Sequence, residues 1–498
     1  MQHKIKSVIA LLTISSLGAP AIAGDALTVY SSAHPGAVSP EQYRPGSGVP
    51  VPGYAVVRHE RDIPLISGTN QVRFSDVAAQ IDPTSVSFES LTDPSNTRVI
   101  EQNYQFDLVS SQRLLEKYID REITVDQQRG NNIQSFSGTL SSTEGGLILR
   151  SKDGSAQVLN GYAGIKLPEI PGGLITKPTL VWDIAAQKAG THKTRVAYQT
   201  GGITWWADYN FTYAEGKEGT CQLDVGAWVS VLNQSGATYN NAKLKLVAGD
   251  VQRIERPAPI QPMEMRMMAK AAAAPANFEE KPFFEYHLYT LSFPTTLPDN
   301  STKQLELFPA ARDVSCQKSL VYIGQGTGFR HYGGPITDRG YGMTDNNKVD
   351  VYLSFKNTKA NHMGIPLPAG RIRVSKLDTA DGSLEFIGED SIDHTAKDES
   401  VLIKLGSAFD VVGERRQVNF RVDNLAKWME EDIEVKLRNR KDEPVTVQVR
   451  ENLYRWTNWS VIRKSQDFEK QDARTIQFPV KIAKGGEATV RYTVRYTW

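Results

Sequence analysis

Apolar and polar residues alternate with a period of two along most of the chain, a pattern that predicts short strands rather than helices. It is clearest in the last third. Val349, Val351, Leu353 and Phe355 alternate with Asp350, Tyr352, Ser354 and Lys356. Ile433, Val435 and Leu437 precede a turn over 439–444 and then Val445, Val447 and Val449, which predicts a hairpin with one buried face. The aromatic-rich runs 193–198, 204–213, 221–233 and 243–247 alternate in the same way, as the inner strands of a sandwich do. Nearer the start, 54–58, 62–65, 70–74 and 86–91 read as strands, followed by 123–125, 134–139, 146–150 and 156–159 between Gly and Asp turns. One helix is expected, over 110–123, where Leu114, Leu115, Tyr118 and Ile119 share a face and Ser110 or Ser111 is placed to cap it.

Three segments break the pattern. Residues 1–23 carry Lys4 and Lys6, an apolar run and a small-residue end at Ala23, the signature of a secretory signal peptide cleaved between Ala23 and Gly24. Residues 24–53 hold five prolines among Gly and Ser and read as an N-terminal arm. Residues 257–276, rich in Met, Ala and Pro, read as an irregular insertion; their thioethers suit Cu(I), but the segment holds no histidine and no metal site is expected. The expectation is a mainly β protein with two or three β-sandwich-like domains and few short helices. These are an N-terminal β domain over 54–175, a central β domain over 176–344 and an immunoglobulin-like sandwich over 345–498.

Charge narrows the partners. With 57 basic and 56 acidic residues the net charge is +1, which argues against nucleic acid or an anionic membrane face. The apolar run of the leader is too short to span a bilayer, so no transmembrane helix is expected. The two cysteines, Cys221 and Cys316, have no metal-type spacing, and in an oxidising compartment are expected to form one disulfide.

No protease, hydrolase or nucleotide-binding signature occurs, the eight histidines are scattered, and no cofactor is expected. The glycine-rich run 324–328 lacks the lysine and the strand-to-helix setting of a phosphate loop. Aromatic clusters are the candidate binding residues: Trp205 and Trp206, which point to opposite faces of one strand, and Tyr454, Trp456 and Trp459 beside Arg455 and Asn458. The alternation of Val490, Tyr492, Val494 and Tyr496 before Trp498 fits an outer-membrane barrel strand or a sandwich strand.

The segments YQTGGITWWADYNFTY, GAWVSVLNQSGATYNNAKLKLVAGDVQ and EYHLYTLSFPTTLPDNSTKQLELF resemble the bacterial domain of unknown function 4139 over roughly 190–498. VRFSDVAAQIDPTSVSFES and LLEKYIDREITV are similar to the N-terminal part of its secreted members. With no heptad run between the two parts, the chain resembles the coiled-coil-free branch. The resemblance implies no catalytic residue. The expectation is therefore a secreted periplasmic or cell-envelope binding or structural module without catalysis, partnered by an envelope protein or polysaccharide. An envelope-polymer hydrolase with a dispersed Asp, Glu or His site, or a protein associated with an outer-membrane β-barrel, are the alternatives.

Overall fold

The structure, a computed structural model, describes residues 24–30, 38, 50–130, 132–169, 174–217, 219–249, 251, 278–325, 333–342 and 346–498. The expected signal peptide up to Ala23, the insertion 257–276 and most of the glycine-rich run lie outside the described residues. The protein is mainly β, with 65% of residues in strands and 2% helical.

Residues 24–53 do not begin as an arm. Ala26–Tyr30 is an inner strand, pairing in parallel with Tyr239–Ala248 and antiparallel with Tyr54–Leu65. Leu27 and Val29 supply its buried face, and the prolines begin only after it. It belongs to an eight-stranded sheet that continues from Tyr54–Leu65 through Gly190–Thr200 to Ile81–Ser90. A three-stranded sheet, Gly68–Ser75, Thr179–Ala186 and Thr97–Gln105, packs on it. Aromatic rings fill the space between them: Phe74 lies 5.8 Å from the His59 ring and 5.2 Å from that of Trp182. Because Thr179–Ala186 pairs with both Gly68–Ser75 and Thr97–Gln105, strand pairing crosses the boundary expected at 175.

A small module lies within this part of the chain. Its five-stranded sheet includes Glu122–Arg129 and Asn132–Ser142, with its own core of Leu115, Tyr118, Ile123, Val125, Leu140 and Leu149. The helix that covers it is Ser111–Lys117, shorter than the pattern predicts. Ser110 caps it by accepting the Arg113 amide at 3.1 Å. Beyond Tyr118, Ile119 leaves to bridge Leu140 and Asp120 turns left-handed at φ 63°, so the apolar face is completed by a strand-like turn.

The largest sheet has thirteen strands. Its first seven run in the order Leu384–Ile392, Gly370–Leu377, Ile203–Glu215, Thr220–Asn233, Ser301–Tyr322, Lys348–Lys356 and Ser400–Asp423. They curl until the first meets the seventh. At that seam the Lys404 amide donates to Asp390 at 2.7 Å, and Gly388 lies so close to Leu405 that a Cβ would stand 2.3 Å from its carbonyl oxygen.

Three of these strands continue into a second core. Val314 and Cys316 face the first core while Leu320 and Tyr322, farther along the same strand, face the second. Likewise Leu353 and Phe355 serve the first and Val349 the second, and Val401 and Ile403 the first and Val411 the second. Ser301–Tyr322 pairs with Lys348–Lys356, so the boundary expected at 344 is also crossed.

The second core lies inside a C-terminal sandwich. Trp428–Asn439 lies between Ser400–Asp423 and Glu487–Thr497, whereas Val445–Asn452 pairs with Thr475–Ile482 and Ser301–Tyr322. The expected hairpin is therefore an arch: the two strands bury Val435 and Val447 in one core without bonding to each other. Asn439, fully buried, holds the arch by donating to the carbonyls of Glu443 and Ala483 at 2.8 and 3.1 Å. In Glu487–Thr497, Val490, Tyr492, Val494 and Tyr496 all face this core.

Candidate functional site

The aromatic residues singled out by sequence are placed apart, and three are interior. Trp205 is 1% exposed and donates to the Val247 carbonyl at 3.3 Å. Trp206 does point to the other face, as alternation requires, but Val38, Val51 and Leu232 cover it, and its Nε1 donates to Asp208 at 2.7 Å. Tyr454 is 1% exposed and donates to the Tyr341 carbonyl at 2.7 Å. Trp456 and Trp459 are half-buried against the second core, and Trp459 donates to the Ala473 carbonyl at 3.0 Å. All five are packing groups, four of them with bonded polar tips, and no shared binding surface joins the five. Cys221 and Cys316 sit directly opposite on neighbouring strands with their sulfurs at bonding distance, 2.02 Å.

Polar groups inside the C-terminal sandwich are also committed to each other. Arg415 donates to Glu451 and Arg455 to Glu431, all four side chains being buried. Arg455 further donates to the carbonyls of Ile336 and Asp338 at 3.1 and 2.7 Å, tying the chain over 333–342 to the sheet. In the N-terminal sandwich, Asp25, His59 and Tyr198 form a chain with contacts of 2.6 and 3.0 Å. This order resembles a catalytic relay, but His59 is 2% and Tyr198 1% exposed, so no substrate reaches them.

An open cleft lies where the two cores part. A cleft of about 310 Å³ is floored by Val351, Leu353, Ile387 and Leu405. Tyr213, Glu215, Lys318, Lys376 and Lys441 surround this floor. Each of the first four sits at an inward position of its strand. Glu215 follows Phe211 and Tyr213 in alternation, Lys318 comes between Cys316 and Leu320, and Lys376 follows Ile372 and Val374. The parallel register sets Lys376 beside Tyr213, with its ammonium 5.9 Å from the ring centre. Lys441 reaches the cleft from the arch that Asn439 holds.

Electrostatics order this rim. Glu215 accepts from Lys318, and from Lys376 at 3.0 Å. The two ammonium groups, Lys318 first, hold its carboxyl down to about 2. For Lys318, burial is the largest single influence and works against the charge, yet its bond to Glu215 together with the charges of Tyr213, Glu215 and Glu443 raises the pKa. Lys441 makes no ion pair among the described residues, although Glu443 on the same arch adds a second carboxylate to the field at Lys318 and Tyr213. Tyr213 is 5% exposed; burial raises its pKa, the Lys318 ammonium beside it offsets part of that rise, and its buried hydroxyl meets no acceptor among the described residues.

The cleft therefore offers ammonium groups in excess of carboxylates and an aliphatic floor. Among the described residues no group of three or more His, Cys, Asp or Glu is placed to hold a metal ion. Sequence reading missed all five rim residues, because it sought chemistry in motifs and aromatic clusters. The available signal was a charge at an inward strand position, as at Glu215, Lys318 and Lys376, where alternation alone calls for an apolar side chain. No protein-family model matches the chain, and no curated protein matches it.

Proposed function

We propose that this protein is a secreted periplasmic or cell-envelope module that acts by binding, without catalysis, and that the cleft between the two cores is its binding position. Membership of the family of unknown function 4139, in its coiled-coil-free branch, and the immunoglobulin-like character of the C-terminal sandwich are part of the same proposal. The observation that carries it is the rim of the cleft. Glu215, held down to about 2 between two ammonium groups, is a fixed negative charge near neutral pH. Fixed charge over an aliphatic floor suits recognition. Export rests on the leader pattern over 1–23, and among the described residues no helix is long and apolar enough to cross a membrane.

The test is fractionation of cells carrying the tagged full chain, with N-terminal sequencing, crosslinking and mass spectrometry. A protein that starts at Gly24, leaves with the periplasmic extract and crosslinks reproducibly to an envelope component supports the proposal. Cytoplasmic retention with residues 1–23 attached overturns it.

A further inference from the structure

We infer that the cleft takes a small anionic amphiphile, an aliphatic carboxylate, with its head at Lys441 and its stem on Val351, Leu353, Ile387 and Leu405. This rests on the reading of the cleft as a binding position and adds the class of ligand.

Charge chooses the head group. Lys318 and Lys376 share the single carboxylate of Glu215, while Lys441 brings a further ammonium with no ion pair of its own among the described residues. Glu443 is the other acidic group in the field at Lys318 and Tyr213, and Asp350, bonded to Ser407, is matched by Lys404, so the rim keeps one cation in excess and one more negative charge balances it. A carboxylate oxygen accepts from an ammonium in a charge-assisted hydrogen bond. Ser407, a hydroxyl of the lining, already donates to Asp350 at 3.0 Å and is not required.

Shape and surface choose the stem. The floor is made of branched aliphatic side chains contributed by three strands, with Gly406 beside them, and presents no amide side chain to read a sugar or a peptide bond. Its volume is at the small end for ligand pockets, roughly 300–1,000 Å³, which suits a short chain and excludes a folded partner from the interior.

Decanoate, titrated into the mature full-length protein and followed by calorimetry, is the probe, with decanol as the neutral control. Decanoate is expected to bind at least about tenfold more tightly than decanol, the difference that one charge-assisted hydrogen bond makes. Lys441→Gln is expected to weaken decanoate binding about tenfold and Lys441→Glu further still, with unfolding curves showing that both variants remain folded. Equal binding of decanol and decanoate, or decanoate affinity unmoved by both substitutions, overturns the inference. So does binding of an apolar peptide through its terminal carboxylate with none of decanoate; that result would leave the binding reading of the cleft standing. Loss of the envelope crosslink from the full chain, with decanoate still bound, would instead count against the proposed function and support this inference.

Discussion

Arg415 donates its Nε to Glu451 at 2.9 Å inside the C-terminal sandwich, where the two side chains are 3% and 0% exposed. Glu451 also accepts from Tyr492 at 2.5 Å and from Gln325 at 3.1 Å, so one carboxylate satisfies three donors, while one terminal nitrogen of Arg415 stays unbonded among the described residues. Glu451→Gln leaves a buried guanidinium without its counter-charge and is expected to cost about 3–5 kcal/mol in urea unfolding. Arg415→Met combined with Glu451→Leu should recover only part of this, because Tyr492 and Gln325 lose their acceptor as well. A double variant as stable as the parent would show that the network is dispensable.

Acid should loosen the cleft before it loosens the cores. The carboxyl of Glu215, ordinarily near 4.5, lies at about 2 in the folded chain, so the unfolded chain takes up the proton first as pH falls. Its contribution is complete above about pH 4.5 and fades towards pH 2. Glu215 is 43% exposed, so solvent screening keeps the effect below about 1 kcal/mol. Melting temperatures taken between these limits should fall more steeply for the parent than for Glu215→Gln; parallel curves would remove Glu215 as the cause.

Gly388 is expected to be intolerant of any side chain. A Cβ there meets the Leu405 carbonyl oxygen at 2.3 Å and its Cα at 2.9 Å, and backbone on both sides cannot swing away as a side chain can. Gly388→Ala should therefore part the seam between Leu384–Ile392 and Ser400–Asp423 at a cost of about 1–3 kcal/mol, with faster hydrogen exchange at the Lys404 amide. Unchanged exchange there would mean that the seam closes by other contacts.

Cys221 and Cys316 are 95 residues apart in sequence. Linking them restricts the unfolded chain across that loop, so replacing both by serine is expected to cost about 2–5 kcal/mol, read as a lower urea midpoint in the absence of reductant. The parent should fall to the same midpoint once reduced.

What was legible in the sequence was the alternation itself. It places Trp205 inward and Trp206 outward, and it marks Ile433, Val435 and Leu437 as one buried face. What alternation cannot carry is the identity of the surface that meets that face. Trp206 is buried because Val38, from a stretch rich in proline, lies on it. Two runs flanking a turn predicted a hairpin, yet Trp428–Asn439 and Val445–Asn452 entered opposite layers, because a short loop serves an arch as well as a hairpin and buried Asn439 selects the arch. The cleft was hidden for the same reason: Tyr213, Lys318, Lys376 and Lys441 come from separate strands and an arch, and only the curl of the sheet brings them together.

The strands Ser301–Tyr322 and Ser400–Asp423 are common property of both halves of the molecule. A cut near 344, where the composition invites one, would strip Ser301–Tyr322 of Lys348–Lys356 on one side and take Val401 and Ile403 out of the first core. Neither half can be lifted out, shuffled into another chain or expressed alone with its interior intact. The two halves are bound to a common inheritance, and the cleft at their junction has walls that cannot drift apart by hinge motion.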